Sequence, residues 1–445
     1  MARTSVLAAL ALALVPPARA DWNDQTFDGS GGRDEAPVVA LARTGPAASP
    51  DKRLWVVAKA ADKAERTRAA NAGLAIEEIG SGAVAGVATP SAVERLLKAG
   101  VAIVGRQPLK SYAQKGFPPA DSAYHTFDQV QAALAAIAAA HKDVASLIVL
   151  GTTTQGRPIT ALRFNTTARG TQPSDKPGAA FLGTHHAREH LSTEVPLMIA
   201  QWLADNVASE DVKKLLENRD VYFIPLINPD GAEYDIATGD YKWFRKNMRA
   251  NSDGSFGVDL NRNYDSHWGE AGDSGDPGDD TYRGPAAFSE PESRAMKKFF
   301  EDRPNLKTAV SYHTFAELIL YPWSWGDEAI PDAAALQAFQ AMGARMSTFT
   351  GYTSEQSSAL YASSGDACDW AWAERKVFCF TFEMEPKSTS EGGFYPGVGA
   401  ISTAFKGNLQ SALFLIDAAG DPYRAGASAS VAAAPGLPPP ATPIR

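Results

Sequence analysis

Seven histidines stand in this 445-residue chain, at 125, 141, 185, 186, 190, 267 and 313, and three of them crowd into Thr184-His185-His186-Ala187-Arg188-Glu189-His190. The run before this cluster, 179–183, is apolar and reads as a buried strand, and the run after it, 191–206, has helical spacing. The polar residues therefore fall at the C-terminal edge of a strand, where α/β folds collect their sites. His186 and Glu189 are three apart, close enough to reach one ion from a first helical turn. A catalytic zinc takes three protein ligands and keeps a fourth position open, and two imidazoles with one carboxylate satisfy it while leaving the site near neutral charge. The third ligand has to come from elsewhere, and His313 offers it, closing another apolar run, Ala309-Val310-Ser311-Tyr312. Alone, His-x-x-Glu also suits helix capping and a surface hydrogen bond.

The motif keeps company that narrows the choice. In order come His-Ala-Arg-Glu (186 to 189), Asn-Pro-Asp-Gly (228 to 231), Trp-Phe-Arg-Lys (243 to 246), Gly-Val-Asp-Leu-Asn-Arg-Asn (257 to 263), Ser-Tyr-His-Thr (311 to 314), Tyr361 and Phe-Thr-Phe-Glu (380 to 383). From about Tyr124 to Leu415 the chain thereby resembles the zinc metallocarboxypeptidases of the carboxypeptidase A and T type. The resemblance implies one zinc held by His186, Glu189 and His313, with Asp259 accepting the other ring N–H of His186 and fixing its tautomer. It implies Glu383 as general base and Arg245 as the cation that steadies the developing oxyanion. It also implies a socket for a terminal carboxylate made by Arg262 and Asn261 and closed by Tyr361, with Arg188 and Thr314 as further substrate contacts; the planar guanidinium fork suits a free chain end. Arg245 also reads as a surface cation of the basic stretch 242–249, and Asn261-Arg262 as turn chemistry.

By the same resemblance the pocket for the departing side chain is lined by Leu320, Gln356, Leu360, Asp366, Cys368 and Thr381. Leucines favour apolar side chains, and Asp366 beside Gln356 offers an acceptor for a Lys or Arg head group, so a mixed preference is expected. His190 adjoins Glu189 and reads as a packing or hydrogen-bonding residue, and Phe315 stands where an auxiliary tyrosine is common in the family. Cys368 and Cys379 are the only cysteines, which excludes a disulfide scaffold and leaves open whether they pair. The acidic, Gly-rich run 270–280 has enough carboxylates for a calcium ion but lacks EF-hand order, so a solvated loop is the first reading and calcium the second.

The elements that must position these groups can be read from the same patterning. Between 54 and 106 the order is strand, helix, two short strands, helix, strand, punctuated by Gly73, Pro90 and Gly100. This β-α-β-β-α-β order predicts a small ferredoxin-like domain at 51–107. It resembles the family's propeptide in position and pattern, which implies an intramolecular inhibitor. The stretch 108–120, with Lys110, Lys115, Pro118 and Pro119, reads as an exposed activation linker. From 121 to 419, helical segments (127–141, 191–206, 290–301, 333–349, 401–418) alternate with apolar runs (179–183, 221–227, 309–313, 377–383). Strands apolar on both faces lie between helix layers, so the expected fold class is α/β, a three-layer α/β/α sandwich around a mixed, mostly buried sheet.

The ends and the charge bound the setting. Arg3, the apolar run Val6 to Val15 and Ala18-Arg19-Ala20 read as a cleavable export signal over 1–20, which predicts a secreted or periplasmic product. Residues 21–50 read as an extended segment, and 420–445, rich in Ala and Pro, as a disordered tail. A net charge of −9 without long single-sign runs argues against nucleic acid as a partner, and no later apolar run reaches bilayer length. The expected partners are peptide or protein C-termini, met by a monomer. Two alternatives stay open: a zinc peptidase of cell-wall or modified peptides, and a non-catalytic zinc-binding relative.

Overall fold

The structure, a computed structural model, describes residues 52–109 and 117–425. The expected export signal, the segment 21–50, residues 110–116 of the linker and the tail from 426 lie outside the described residues. The N-terminal elements run β1 (Leu54–Lys59), α1 (Lys63–Asn71), β2 (Ala75–Gly80), β3 (Ala83–Ala88), α2 (Pro90–Lys98) and β4 (Ile103–Pro108). Local chemistry sets the helix starts: the Asp62 side chain accepts from the Glu65 N–H, and Thr89 accepts from Ala92 just ahead of Pro90. The four strands pair antiparallel in the order β2-β3-β1-β4, the ferredoxin-like arrangement, and one face buries Val56, Leu74, Val84 and Leu96 against the two helices.

The larger domain follows as α3 (Phe127–Ala140), β5 (Ala145–Thr152), β6 (Pro158–Phe164), β7 (Gly178–Gly183), α4 (Leu191–Asp205), α5 (Glu210–Asn218), β8 (Asp220–Ile224) and α6 (Pro229–Ile236). It continues with α7 (Pro291–Glu301), β9 (Leu306–Thr314), β10 (Leu318–Tyr321), α8 (Ala333–Thr350), β11 (Thr353–Gln356), α9 (Ala367–Arg375), β12 (Phe378–Met384) and α10 (Gly399–Ala418). Eight strands form one mixed sheet in the order β11-β10-β12-β9-β7-β8-β6-β5, whose centre, β12, β9, β7 and β8, is parallel. Alternate side chains of these strands feed two separate cores. Phe181, Phe223, Val310, Phe380 and Phe382 pack under α3, α4, α8 and α10, while Ala180, Leu182, Tyr222 and Ala309 pack under α7 and α9. The sheet is thus sandwiched, and the α/β/α class read from the sequence is present.

Several sequence expectations change. α4 begins at Leu191, so His186 and Glu189 stand on the turn before the helix, not in its first turn. The helices α5, α6 and α9 and the strands β5, β6, β10 and β11 were not anticipated. Residues Pro422–Ala425, placed in the disordered tail, form a helical turn whose Tyr423 ring meets Phe378 edge-on at 5.2 Å. Phe117, in the expected linker, packs on Tyr124 at 5.5 Å and His190 at 4.9 Å. Cys368 and Cys379 are joined in a disulfide between α9 and β12. Among the described residues, no helix is long and apolar enough to cross a membrane.

One buried carboxylate gives the fold a pH dependence. Asn247 Nδ2 donates to Glu290 at 2.9 Å and to Glu292 at 3.0 Å, and Arg249 pairs with Glu290 alone, at 2.7 Å. Burial pushes the Glu292 carboxyl up to about 7. A group that holds its proton more tightly folded than unfolded lowers stability as pH rises, here from about 4 to about 7. Glu292→Gln keeps the Asn247 bond and removes the titration, so its melting temperature relative to the parent should rise between pH 5 and pH 8. An equal difference at both pH values would contradict this.

Candidate active site

Three parallel strands deliver the chemistry to one edge of the sheet. β7 ends at Gly183, where a Cβ would collide with the Ser192 and Pro225 carbonyls; only glycine lets the strand turn this tightly into the 184–190 loop. Asn228 ties that loop down, donating to the carbonyls of His185 at 3.2 Å and Lys246 at 3.1 Å while its own oxygen caps α6 at Gly231. β9 carries His313, and β12, in parallel register with it, places Glu383 directly beside His313.

The two imidazoles and the Glu189 carboxylate converge. His186 Nδ1 lies 2.7 Å from Glu189 Oε1, His313 Nδ1 lies 3.0 Å from Oε2, and the two Nδ1 atoms are 3.1 Å apart. All three residues are buried, and among the described residues theirs is the one group of three or more His, Cys, Asp or Glu whose ligand atoms close on a common point. The outer ring nitrogens are engaged elsewhere: His186 Nε2 with Asp259 at 3.1 Å and His313 Nε2 with Ser311 Oγ at 3.0 Å. Both Nδ1 atoms thus face the carboxylate and each other. Donor atoms around a tetrahedral zinc with bonds of about 2.0–2.1 Å lie about 3.3 Å apart, so the spacing and the donor types fit zinc. Burial pushes the Glu189 carboxyl up, but the two histidines outweigh it and hold the group ionised.

Asp259 has a second partner, Arg245, whose Nε donates to Oδ2 at 2.8 Å. Burial disfavours the Asp259 charge, but Arg245 and then His186 hold it well below the usual range. Glu383 sits the opposite way: burial, reinforced by Glu189 and opposed by Arg245, lifts its carboxyl well above the usual range. A dication at the ligand set acts against that rise. Arg262 is fixed by bonds from Nε to the Gly272 carbonyl at 3.1 Å and from Nη1 to its neighbour's carbonyl at 2.9 Å, with the Tyr361 hydroxyl 3.4 Å from Nη2.

Most residues singled out in the sequence meet around one cleft of about 520 Å³. His186, Glu189, Arg245, Asn261, Arg262, Thr314, Leu320, Leu360, Tyr361, Asp366, Thr381 and Glu383 all line it. Of the other five, His313 and Asp259 contact the lining residues Glu189 and His186, and three stand elsewhere. Gln356 turns its amide to the carbonyls of Gly326 and Glu328, at 3.1 and 3.2 Å, while its strand neighbour Glu355 faces the cleft. Cys368 is tied up in the disulfide behind the wall. Arg188 bonds to Asp280 at 2.8 Å, the Trp243 carbonyl at 3.0 Å and Glu77 of β2. Asp366 is at the wall but largely committed: one oxygen caps α9 at Cys368 and Asp369, and the other accepts from Asn261 at 2.8 Å.

The inhibitor expected at 51–107 came without named contact residues. Ile76, Glu77, Glu78 and Ile79, on and around the end of β2, also line the cleft. Arg66 of α1 donates to the Leu360 and Ala359 carbonyls, and Thr67 accepts from the Ala362 N–H at 3.0 Å, so the N-terminal domain grips the loop that bears Tyr361. The acidic run is another dock, and calcium there is a correction. Arg95 takes Asp276 and Asp279, Arg53 and Arg188 take Asp280, and Arg283 takes Asp273, so these carboxylates face guanidinium groups and do not converge on an ion. His190 pairs with Asp235 at 2.9 Å and lies outside the ligand set.

Comparisons with known proteins agree with this geometry. The profile of the zinc carboxypeptidase family matches residues 130–411. A zinc carboxypeptidase of Saccharothrix mutabilis subsp. capreolus is 33% identical over 66% of this chain and 68% of its own length. Carboxypeptidase A1 of Rattus norvegicus is 30% identical over 63% of this chain and 67% of its own. The crystal structure of the carboxypeptidase A from Helicoverpa armigera superposes with a TM-score of 0.65 at 22% identity, covering 85% of this chain and 98% of that one. This coverage exceeds what residues 117–425 supply, so the shared fold takes in part of the N-terminal domain as well. On the length and content of these matches, the chain belongs to the zinc carboxypeptidase family.

Proposed function

We propose that this zinc carboxypeptidase is exported as a zymogen and removes single residues from peptide C-termini, accepting apolar and basic side chains. The observation that carries the reading is the single cleft that joins His186 and Glu189, both in contact with His313, to a fixed guanidinium, Arg262, and a buried carboxyl, Glu383. His186 and His313 would hold zinc through Nδ1 and Glu189 through its carboxylate. What zinc supplies when bound is Lewis acidity, toward water and toward a carbonyl. Glu383 takes the proton of the attacking water and returns it to the leaving amine; the bound dication, by opposing the rise of its pKa, favours the ionised form that the first step needs. Arg245, buried and aligned by Asp259, faces the oxygen that gains charge. Arg262 with Asn261 and the Tyr361 hydroxyl receives the terminal carboxylate, so a bond inside a chain lacks its anchor.

The side-chain pocket is apolar at Leu320 and Leu360, and the carboxylates of Glu355 and Asp366 give it a negative wall. That combination repels a terminal Glu or Asp side chain and tolerates Lys and Arg. For the zymogen, support comes from Glu77, which lines the cleft and bonds to Arg188 behind it, and from Arg66, which pins the Tyr361 loop. A substrate carboxylate and the N-terminal domain would compete for the same ground.

Blocked dipeptides ending in Phe, Leu, Arg and Glu, given to the full chain before and after limited proteolysis of the 108–120 segment, test this reading. Activity should appear on cleavage, be abolished by a zinc chelator, and rank Phe, Leu and Arg above Glu by at least about tenfold in kcat/KM. An intact chain as fast as the cleaved one sinks the zymogen, and equal rates for Arg and Glu sink the preference. In the cleaved enzyme, Glu383→Gln should keep its zinc while kcat falls by about 10²–10⁴; full activity in that variant would remove Glu383 from the base role.

A further inference from the structure

We propose that Ser311 is the positioning residue of the third zinc ligand, and that His185 fixes the Ser311 hydroxyl in the one orientation that leaves His313 Nδ1 free to bind. The inference rests on the zinc reading of His186, Glu189 and His313. Ser311 and His313 are two apart on β9 and so share a face. Ser311 Oγ lies 3.0 Å from His313 Nε2 and 3.0 Å from His185 Nδ1, and His185 Nε2 lies 2.9 Å from the Tyr264 hydroxyl. The four side chains are buried, and the His185 ring stacks on His313 at 5.6 Å and 8°, which holds it in place.

Proton count decides which way the hydroxyl points. A serine hydroxyl has one proton and two neighbours here, so it donates to one imidazole and accepts from the other. If His313 Nε2 carries a proton and donates to Oγ, then Nδ1 is bare and faces Glu189 and His186. The Ser311 proton then goes to His185 Nδ1, and His185 Nε2–H goes to Tyr264. In the reverse orientation Oγ donates to His313 Nε2, and the imidazole proton sits on Nδ1, where the ion belongs. His186 escapes this ambiguity because its outer nitrogen meets an ionised carboxylate, Asp259, which can only accept. His313 has a neutral hydroxyl in that place, and a hydroxyl can turn. His185 can supply the matching acceptor at Nδ1, passing its own Nε2–H to the Tyr264 hydroxyl, and a cation at His313 Nδ1 selects that orientation without negative charge being added to the site. Outer partners of zinc-binding histidines are worth about 10–100-fold in metal affinity.

The test measures zinc affinity of the full chain by competition with a chromophoric chelator and records the visible spectrum of the cobalt(II) form. Ser311→Ala should bind zinc about 10–100-fold more weakly and shift the cobalt spectrum, and Ser311→Thr, which keeps the hydroxyl, should restore both. His185→Phe keeps the stacked ring and removes the acceptor; it should weaken zinc in the parent but add no further loss in the Ser311→Ala background. Melting of the metal-free variants separates these effects from misfolding. Zinc affinity within about twofold of the parent and an unchanged spectrum in Ser311→Ala would overturn the proposal. So would a His185→Phe loss of equal size in both backgrounds. His313→Ala tells the two readings apart: if it loses zinc while Ser311→Ala does not, only the relay fails, and if it keeps zinc, the ligand assignment fails with it.

Discussion

Two imidazole nitrogens 3.1 Å apart, both aimed at one buried carboxylate, constitute an arrangement that protons alone satisfy poorly. Two bare lone pairs at that distance repel, and at most one proton fits between them. A dication at their common point turns the repulsion into coordination, which is why donor type, spacing and burial together identify a metal centre where any one alone would not. The remaining groups acquire their roles from that point. Asp259 matters because it faces both His186 and Arg245, Glu383 because it stands in register with His313, and Arg262 because its fixed fork opens onto the same cleft.

The fold meets this constraint with parallel strands. β7, β9 and β12 run the same way, so the loop after β7 and the last residues of β9 and β12 arrive at one edge, though they are far apart in sequence. The two cores on either face of the sheet hold that edge still, and Asn228 and Asp259 lace the intervening loops to it. The N-terminal domain uses the same ground from outside. Its cations engage the acidic loop and the Tyr361 loop, and Glu77 enters the cleft toward Arg188, so opposite charges on the two domains meet at the site's rim.

The candidate site was legible as a cluster because its residue types are rare and its motifs ordered: His186, Glu189, Asp259, His313 and Glu383 lie together. The central strands were legible because strands buried on both faces are continuous apolar runs. β5 was missed because an edge strand mixes exposed and buried positions, β6 because the buried polar residues Thr160 and Arg163 interrupt its apolar run, and β10 and β11 because four residues are too few to show a period. Gln356 was misplaced by one residue along β11, enough to turn it from the cleft to the loop behind it. The acidic run was open to misreading because its partners, Arg53, Arg95 and Arg188, come from distant parts of the chain, and charge pairing over such separations leaves no local trace. Ser311 was within reach of sequence reasoning, since a polar residue two before a strand-borne ligand must share its face.

Zinc-edge X-ray absorption on the purified, zinc-loaded chain tests the central claim most directly. The account predicts one zinc per chain with two imidazole nitrogens and a carboxylate oxygen at about 2.0–2.2 Å, and loss of one imidazole contribution in His313→Ala. Zinc surrounded by oxygen alone, or an unchanged spectrum in that variant, would contradict it.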